Sequence, residues 1–215
     1  MTAPEQPLHR PLENQWPGIL AAHGPLRDEL VAAYAEDGRG YHDVRHLTEV
    51  LAHLDMLLAQ PAAAGADPTA LRLAAWFHDA VYDGHRDDEE RSAVLAEERL
   101  GATGVPDPLV AEVARLVRLT ADHRPGPGDV AGALLCDADL AVLASGPERY
   151  AEYVRGVRKE YADLDEDTFR AGRAGVLRAL LEGPTLFHSP LAQELWEAAA
   201  RANVQRELES LEAPR

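Results

Sequence analysis

Residues 74–82 read AAWFHDAVY, an apolar stretch that contains one histidine followed directly by one aspartate. Apolar positions recur here at helical spacing, which predicts a buried helix with one apolar face. That face carries Leu71, Ala74, Ala75, His78 and Tyr82. Packing would hold His78 and the adjacent Asp79 in place, as metal ligands require. A single histidine on an apolar face is nevertheless more often an ordinary core residue, so the rest of the chain decides between these interpretations.

The composition limits the kinds of partner that fit the chain. The chain has 215 residues, of which 46% are hydrophobic, and a formal net charge of −16. This charge disfavours duplex nucleic acid or an anionic membrane as the main partner, because such polyanions bind basic surfaces. A small phosphorylated substrate is compatible, since it needs only local positive charge. The single cysteine, Cys136, cannot form an internal disulfide, so the predicted location is the cytoplasm.

The hydrophobic pattern predicts an all-α protein of about eight or nine helices. Helical periodicity recurs along most of the chain, whereas β alternation is almost absent and β-branched residues are sparse. No stretch approaches the ~18 consecutive apolar residues of a membrane-spanning helix. Residues 1–16 are rich in proline and carry no apolar run, so they are predicted to form an extended N-terminal segment. Residues 17–215 show no repeat and no convincing linker, and are predicted to form a single helical domain.

Four side chains that bind metals lie in otherwise apolar helical patterns: His46, His78, Asp79 and Asp139. His46 borders the apolar stripe of its predicted helix. Asp139 shares a helical face with three apolar residues, where an unpaired carboxylate costs several kcal/mol, so it needs a cation, an arginine or hydrogen-bond donors. Asp137 is the alternative ligand in the same run. It lies about 200° away on the helix and could instead face solvent or a polar groove.

The residue types indicate which metal the predicted site would hold. Two imidazoles and two carboxylates suit one divalent transition metal, namely Mn, Fe, Co, Ni or Zn, better than Ca²⁺, which prefers oxygen ligands only. An incomplete ligand shell leaves positions for water, and a metal-bound water becomes a nucleophile near neutral pH.

The order of these residues resembles that of the HD-domain superfamily of metal-dependent phosphohydrolases. Six flanking sequences resemble one bacterial branch of predicted phosphohydrolases in that superfamily: YHDVRH (41–46), WFHDAVYD (76–83), ERSA (90–93), LTADH (119–123), DADL (137–140) and RKEY (158–161). The resemblance implies an HD-type helical bundle over residues 17–215, with the C-terminal helices packed on it. It also implies that His46, His78, Asp79 and Asp139 hold the metal, and that the substrate is a nucleotide or another small phosphate ester.

Some members of the superfamily add two histidines before the last aspartate and hold two metals. This chain has His85 and His123 in that interval, but only His123 has a helical context, so one metal is predicted. His123 follows a predicted helix C-terminus, where partial negative charge favours a protonated imidazole. We therefore expect His123 at the mouth of the pocket and outside the ligands of the metal.

Further residues are predicted to act on the substrate. Asp79 is the predicted metal ligand that also accepts a proton. His42, Arg45 and His123 are predicted to bind the phosphate or to protonate the leaving group. Arg158 is predicted to add local positive charge to the pocket. Both arginines have an alternative interpretation, in which Arg45 caps a carboxylate and Arg158 pairs with acidic neighbours on its own helix.

Taken with the resemblance, these features predict a metal-dependent phosphohydrolase that uses a metal-activated water. A metal-containing protein that senses a nucleotide without turning it over is the first alternative. A di-iron oxygenase of the HD type is a second alternative, although it needs further metal ligands, for which His123 is the single good candidate.

Overall fold

The computed structural model describes residues 11–213, and this part of the chain is helical, with no strand. The predicted all-α class and the predicted number of helices are confirmed. The nine α-helices of residues 11–213 are α1 (Gly24–Tyr34), α2 (Val44–Leu58), α3 (Pro68–Phe77), α4 (Asp88–Gly101), α5 (Asp107–Leu119), α6 (Val130–Leu140), α7 (Pro147–Glu160), α8 (Glu166–Leu181) and α9 (Pro190–Glu212).

The central element is α3, which packs against α2, α4, α5 and α6. Asp67 begins this helix, because its side chain accepts a hydrogen bond from the backbone N–H of Thr69 at 2.8 Å. The side chains of residues 73–77 are fully buried. The sequence pattern predicts that Tyr82 continues the apolar face of this helix. The helix ends at Phe77, however, so Tyr82 lies outside it. This apolar helix therefore delivers His78, the next residue, to the interior.

The predicted extended segment, residues 1–16, is only partly covered, since residues 1–10 lie outside the described range. Within it, Leu12–Gln15 forms a 3-10 helix, so the prediction is wrong for these residues. Tertiary packing explains the difference. The ring of Trp16 meets the ring of Trp76 edge-on, with their centroids 4.9 Å apart. This contact holds the segment against α3.

The C-terminal helices hold the end of α6. A short 3-10 helix, Ala141–Ala144, follows α6 directly, and both α7 and α9 pack against it. Asn203 on α9 donates hydrogen bonds to the carbonyls of Leu143 and Ser145, both at 2.9 Å. Because Asp139 is the second-last residue of α6, these contacts also hold its position.

No single helix within residues 11–213 is long and apolar enough to cross a membrane. Two consecutive helical segments, Val130–Ala144 and Pro147–Glu160, are together long and apolar enough for a membrane span by length and composition only. The chain bends by 106° between them.

Two glycines bring α7 into backbone contact with the loop before α2, which carries His42. A Cβ atom added at Gly156 would lie 2.5 Å from the carbonyl oxygen of Gly40 and 3.0 Å from Cβ of Tyr41. Such distances are too short for any side chain to fit without a shift of the backbone. The contact therefore sets the position of the His42 loop relative to α7.

We expect Gly156→Ala to lower the free energy of unfolding by about 1–3 kcal/mol, because the added methyl group overpacks this contact. The matched control is Gly175→Ala on α8, where an added Cβ meets nothing within 4 Å. That control should raise the free energy of unfolding by about 0.5–1 kcal/mol, the gain of alanine over glycine in a helix interior. Urea unfolding of both variants measures the difference, and equal stabilisation by both would contradict the close approach.

Candidate metal centre

His46, His78 and Asp139 converge at one point in the core. The Nε2 atoms of His46 and His78 lie 3.0 Å apart, and each of these residues is only 1% exposed. Oδ1 of Asp139 lies 3.1 Å from Nε2 of His46 and 3.5 Å from Nε2 of His78. One ligand atom from each residue falls within 4.8 Å of the others, so this group could hold a metal ion. Its members come from α2, from the end of α3 and from α6.

Asp79 reaches the same point from the turn after α3. Its Oδ2 atom lies 3.0 Å from Nε2 of His78 and 3.3 Å from Nε2 of His46. Within a continuous helix, two adjacent side chains diverge by about 100°. Because α3 ends at Phe77, the chain turns here, and His78 and Asp79 both point to the cluster. The four side chains that the sequence predicted as ligands therefore lie together.

The hydrogen bonds around His78 suit a metal ligand. Its Nδ1 atom lies 2.8 Å from the carbonyl oxygen of Ala75, which can only accept, so Nδ1 carries the hydrogen. A neutral imidazole then presents the lone pair of Nε2 to the cluster, which is the arrangement that orients histidine ligands in metal sites. The separations of 3.0–3.5 Å among the cluster atoms also suit atoms that each lie about 2.0–2.2 Å from one shared ion.

The charges of the cluster depend on one another. Burial alone would raise the pKa values of Asp79 and Asp139, but the neighbouring His78 holds both well below the usual range. Burial alone would lower the pKa of His46, but hydrogen bonds to Asp139 and Asp79 raise it to about 9. The buried carboxylates thus require positive charge beside them. Without a metal, protons on the imidazoles supply that charge, and metal binding would release them.

His123 contacts the cluster from its outer side. α5 ends at Leu119, and the chain then turns through His123, whose φ is +54°. Its Nε2 atom lies 2.8 Å from Oδ2 of Asp139, the carboxylate oxygen that faces away from the two buried histidines. His123 also lines the neighbouring cavity. The structure therefore places it beside a candidate ligand and outside the group of His46, His78 and Asp139.

Asp137 does not face solvent or a polar groove, so that interpretation of the sequence is wrong. Its side chain is fully buried, and its two oxygens accept the backbone N–H groups of His188 and Ser189, each at 2.7 Å. These donors lie just before α9, so Asp137 holds the start of that helix. Asp139, and not Asp137, is the carboxylate of this run that lies in the cluster.

Arg45 and Arg158 do not lie where the substrate-binding prediction requires. Arg45 is half exposed and pairs with Glu49 at 3.0 Å and with Glu152 at 2.7 Å, outside the cavity. It precedes His46 by one residue, so it points about 100° away when His46 faces the core. Arg158 pairs with Glu166 at 3.2 Å and donates to backbone carbonyls after α7. Arg45 thus pairs with carboxylates, as its alternative interpretation states, whereas the carboxylate partner of Arg158 lies on α8 and not on its own helix.

His42 lines the cavity and is held by Glu160, a residue whose role the sequence did not indicate. Oε1 of Glu160 accepts the backbone N–H groups of Gly40, Tyr41 and His42 at 2.7–2.8 Å. Its Oε2 atom lies 2.9 Å from Nδ1 of His42 and accepts the Tyr82 hydroxyl at 3.3 Å. The side chain of Glu160 is only 2% exposed. The sequence showed only an acidic neighbour of Arg158 here, because the partners of Glu160 are distant along the chain.

Arg39 is a second residue that the sequence did not indicate as part of the site. It is buried, and its NH1 nitrogen donates to the carbonyl of His42 at 2.9 Å and to that of Asp79 at 2.7 Å. Its NH2 nitrogen donates to the carbonyl of Ala80 at 3.2 Å. Arg39 therefore ties the loop of His42 to the turn of Asp79. In the sequence, Arg39 lies between Gly38 and Gly40 and has no neighbour that indicates this role.

A cavity of about 510 Å³ opens beside the cluster. Asp139, His42 and His123 line one end of it, together with Tyr41 and Tyr82. Residues of α7, of α8 and of the loop between them form most of the remaining wall. The candidate metal centre is thus accessible to a molecule in the cavity through Asp139, while His46 and His78 stay buried behind it.

Comparisons of the chain with protein-family models, with curated proteins and with solved structures found no match in any of the three. The resemblance to the HD-domain superfamily therefore rests on the residues of this chain alone.

The two aspartates of α6 should respond differently to the same substitution. Asp139→Asn should lower the bound metal after dialysis against Mn²⁺, because a charged ligand is lost. Asp137→Asn should keep the metal and lower the stability by about 1–3 kcal/mol, because an amide NH₂ group would face a backbone N–H group. Elemental analysis and thermal unfolding of both variants check this expectation. Loss of metal in Asp137→Asn alone would reverse the assignment.

Glu160 should make the stability of the protein depend on acid pH. Burial alone would raise its pKa, but hydrogen bonds from His42 and from backbone N–H groups lower it from 4.5 to about 2. A carboxylate with a lowered folded-state pKa stabilises the fold above its unfolded pKa, and this contribution disappears as the pH falls from about 4.5 towards 2. Glu160→Gln should therefore be less stable than the wild type at pH 7, by on the order of 3 kcal/mol. Denaturant unfolding should show this difference shrinking below pH ~4.5, and a constant difference would contradict the assignment.

Proposed function

We propose that this protein is a metal-dependent phosphohydrolase that acts on a nucleotide or another small phosphate ester. The observation that carries the proposal is the convergence of His46, His78, Asp79 and Asp139 at one end of a cavity. Their order along the chain resembles that of the HD-domain superfamily. The donor set of two imidazoles and two carboxylates suits one divalent transition metal, Mn, Fe, Co, Ni or Zn.

A bound divalent metal would polarise a phosphoryl oxygen and lower the pKa of a water to near neutrality. Asp79 and Asp139 stay ionised at neutral pH, because their pKa values are held well below the usual range by His78. They therefore bind and neutralise a cation. A carboxylate that holds the cation is a weak base, so we assign the proton transfers of the reaction to the histidines of the cavity and not to Asp79.

His42 is arranged to carry a proton. Its Nδ1 atom faces Oε2 of Glu160 at 2.9 Å, and a carboxylate can only accept, so Nδ1 keeps its hydrogen. Nε2 is then the atom that gains or releases a proton. Tyr82 stacks on the imidazole, with ring centroids 4.1 Å apart, and fixes its plane. A histidine oriented by a carboxylate in this way is the usual form of a general base or acid.

His123 and Arg86 are the candidates for contact with the phosphate. His123 lines the cavity next to Asp139, so it can donate to a phosphoryl or leaving-group oxygen. Arg86 lines the same cavity, is exposed, and forms no ion pair with any residue of 11–213. It takes the place that the sequence assigned to Arg45. A cytoplasmic location is compatible with the single cysteine, Cys136.

The purified, Mn²⁺-loaded protein should release inorganic phosphate from members of a panel of nucleotides and phosphate monoesters. His123→Ala should lower the turnover by about 10²–10⁴, the usual contribution of a general acid, and leave the metal content unchanged. The control is His85→Ala, which removes an exposed histidine outside the cavity and should change neither.

Three outcomes would contradict parts of this proposal. Binding of a nucleotide without any phosphate release would favour a nucleotide-sensing protein instead of an enzyme. Loss of metal in His123→Ala would place His123 among the ligands and indicate a second metal. Equal loss of turnover in both histidine variants would show that the effect does not come from the cavity.

A further inference from the structure

One part of the cavity wall consists of apolar side chains. It is formed by Leu143, Val157, Leu164, Phe169, Val176 and Leu180. Leu164 and Val176 are 40% and 54% exposed, which makes them two of the few large apolar side chains that residues 11–213 leave in solvent. An exposed apolar surface inside a cavity, next to polar groups at one end, is typical of a site that binds a partly apolar small molecule.

Two threonines that also line the cavity use their hydroxyl hydrogens within the protein. The hydroxyl of Thr168 donates to Asp165 at 2.7 Å, and the hydroxyl of Thr120 donates to the Val117 carbonyl at 2.8 Å. Recognition of a nucleobase needs free donors and acceptors that match its edge. Since these two hydroxyl hydrogens are engaged within the protein, the wall offers contact area and few free donors.

The charges of the cavity suit a ligand with a single anionic group. Of the two arginines that line it, Arg173 is held by Glu207 at 2.8 Å and by the Tyr153 hydroxyl at 2.7 Å. The other is Arg86, which forms no ion pair with any residue of 11–213. Glu89 adds a negative charge to the same lining, and the whole chain has a formal net charge of −16. A chain of phosphates would therefore meet more repulsion than attraction here.

We infer that the preferred substrate is a monophosphate ester with a bulky apolar or aromatic body. The phosphate would lie at the end of the cavity lined by Asp139, His42 and His123, and the body would lie on the α7–α8 wall. This inference rests on the proposed phosphohydrolase function and selects one class among its possible substrates. Burial of the apolar body would supply the selectivity between substrates. Hydrogen bonds to a nucleobase or contacts to further phosphates would not.

Two glycines of α8 allow a matched test of this inference. Gly172 lines the cavity and Gly175 does not, and an added Cβ at either position meets nothing within 4 Å. Gly172→Phe would thus fill part of the cavity, whereas Gly175→Phe adds the same side chain to the same helix outside it. A second pair is Val176→Gln, which makes the wall polar, and Val94→Gln, an exposed valine on α4 outside the cavity.

The probes are phosphonates, which cannot be hydrolysed, titrated into the Mn²⁺-loaded protein by calorimetry. Naphthylmethylphosphonate should bind at least about tenfold more tightly than methylphosphonate, because its ring system buries apolar surface. It should also bind more tightly than a non-hydrolysable nucleoside triphosphate analogue. Gly172→Phe should remove the advantage of the naphthyl group without changing the affinity for methylphosphonate, and Gly175→Phe should leave both affinities unchanged. Val176→Gln should lower the affinity for naphthylmethylphosphonate only, and Val94→Gln should lower the affinity for neither probe.

Several results would overturn the inference. These are equal affinities for the two phosphonates, tighter binding of the triphosphate analogue, no binding of either phosphonate, or equal effects of a variant and its control. Phosphate release from nucleoside triphosphates but not from naphthyl phosphate would leave the proposed hydrolase in place and refute the apolar class. Binding of the naphthyl probe as expected, with no phosphate release from any ester, would support the apolar ligand class and refute the hydrolase.

Discussion

Two imidazole nitrogens, from His46 and His78, face each other at 3.0 Å in a part of the core that solvent hardly reaches. Two carboxylates, from Asp79 and Asp139, lie against them. Buried carboxylates are unstable without positive charge, so the cluster requires either protons or a cation. This requirement explains why a metal ion suits the point at which these helices meet.

The loops around the cluster are held by charged side chains that do not belong to the cluster. Arg39 binds the carbonyls of His42 and Asp79, and Glu160 binds the backbone and the imidazole of the His42 loop. Each of these buried side chains replaces water around several backbone groups at once. These contacts fix the positions of His42, which lines the cavity, and of Asp79 in the cluster.

The cavity joins two environments. One part of its lining has Asp139 and two histidines, and another part has apolar side chains of α7 and α8. Of these two helices, α7 packs on the segment after α6, as α9 also does, and so helps to set the position of Asp139. The candidate metal centre and the apolar part of the cavity wall are therefore linked through α7, whereas α8 contributes to the wall.

Local patterns in the sequence determined the helices and the candidate ligands, because helical period and residue type are local properties of the chain. The apolar surroundings of Asp139 already required a partner for its carboxylate. Tertiary structure decided the remainder. Asp137 meets its backbone donors 51 residues away, and His42 meets Glu160 across 118 residues. Arg45 points to solvent because its neighbour His46 faces the core. Such partners depend on how the helices pack against one another, which local periodicity does not specify.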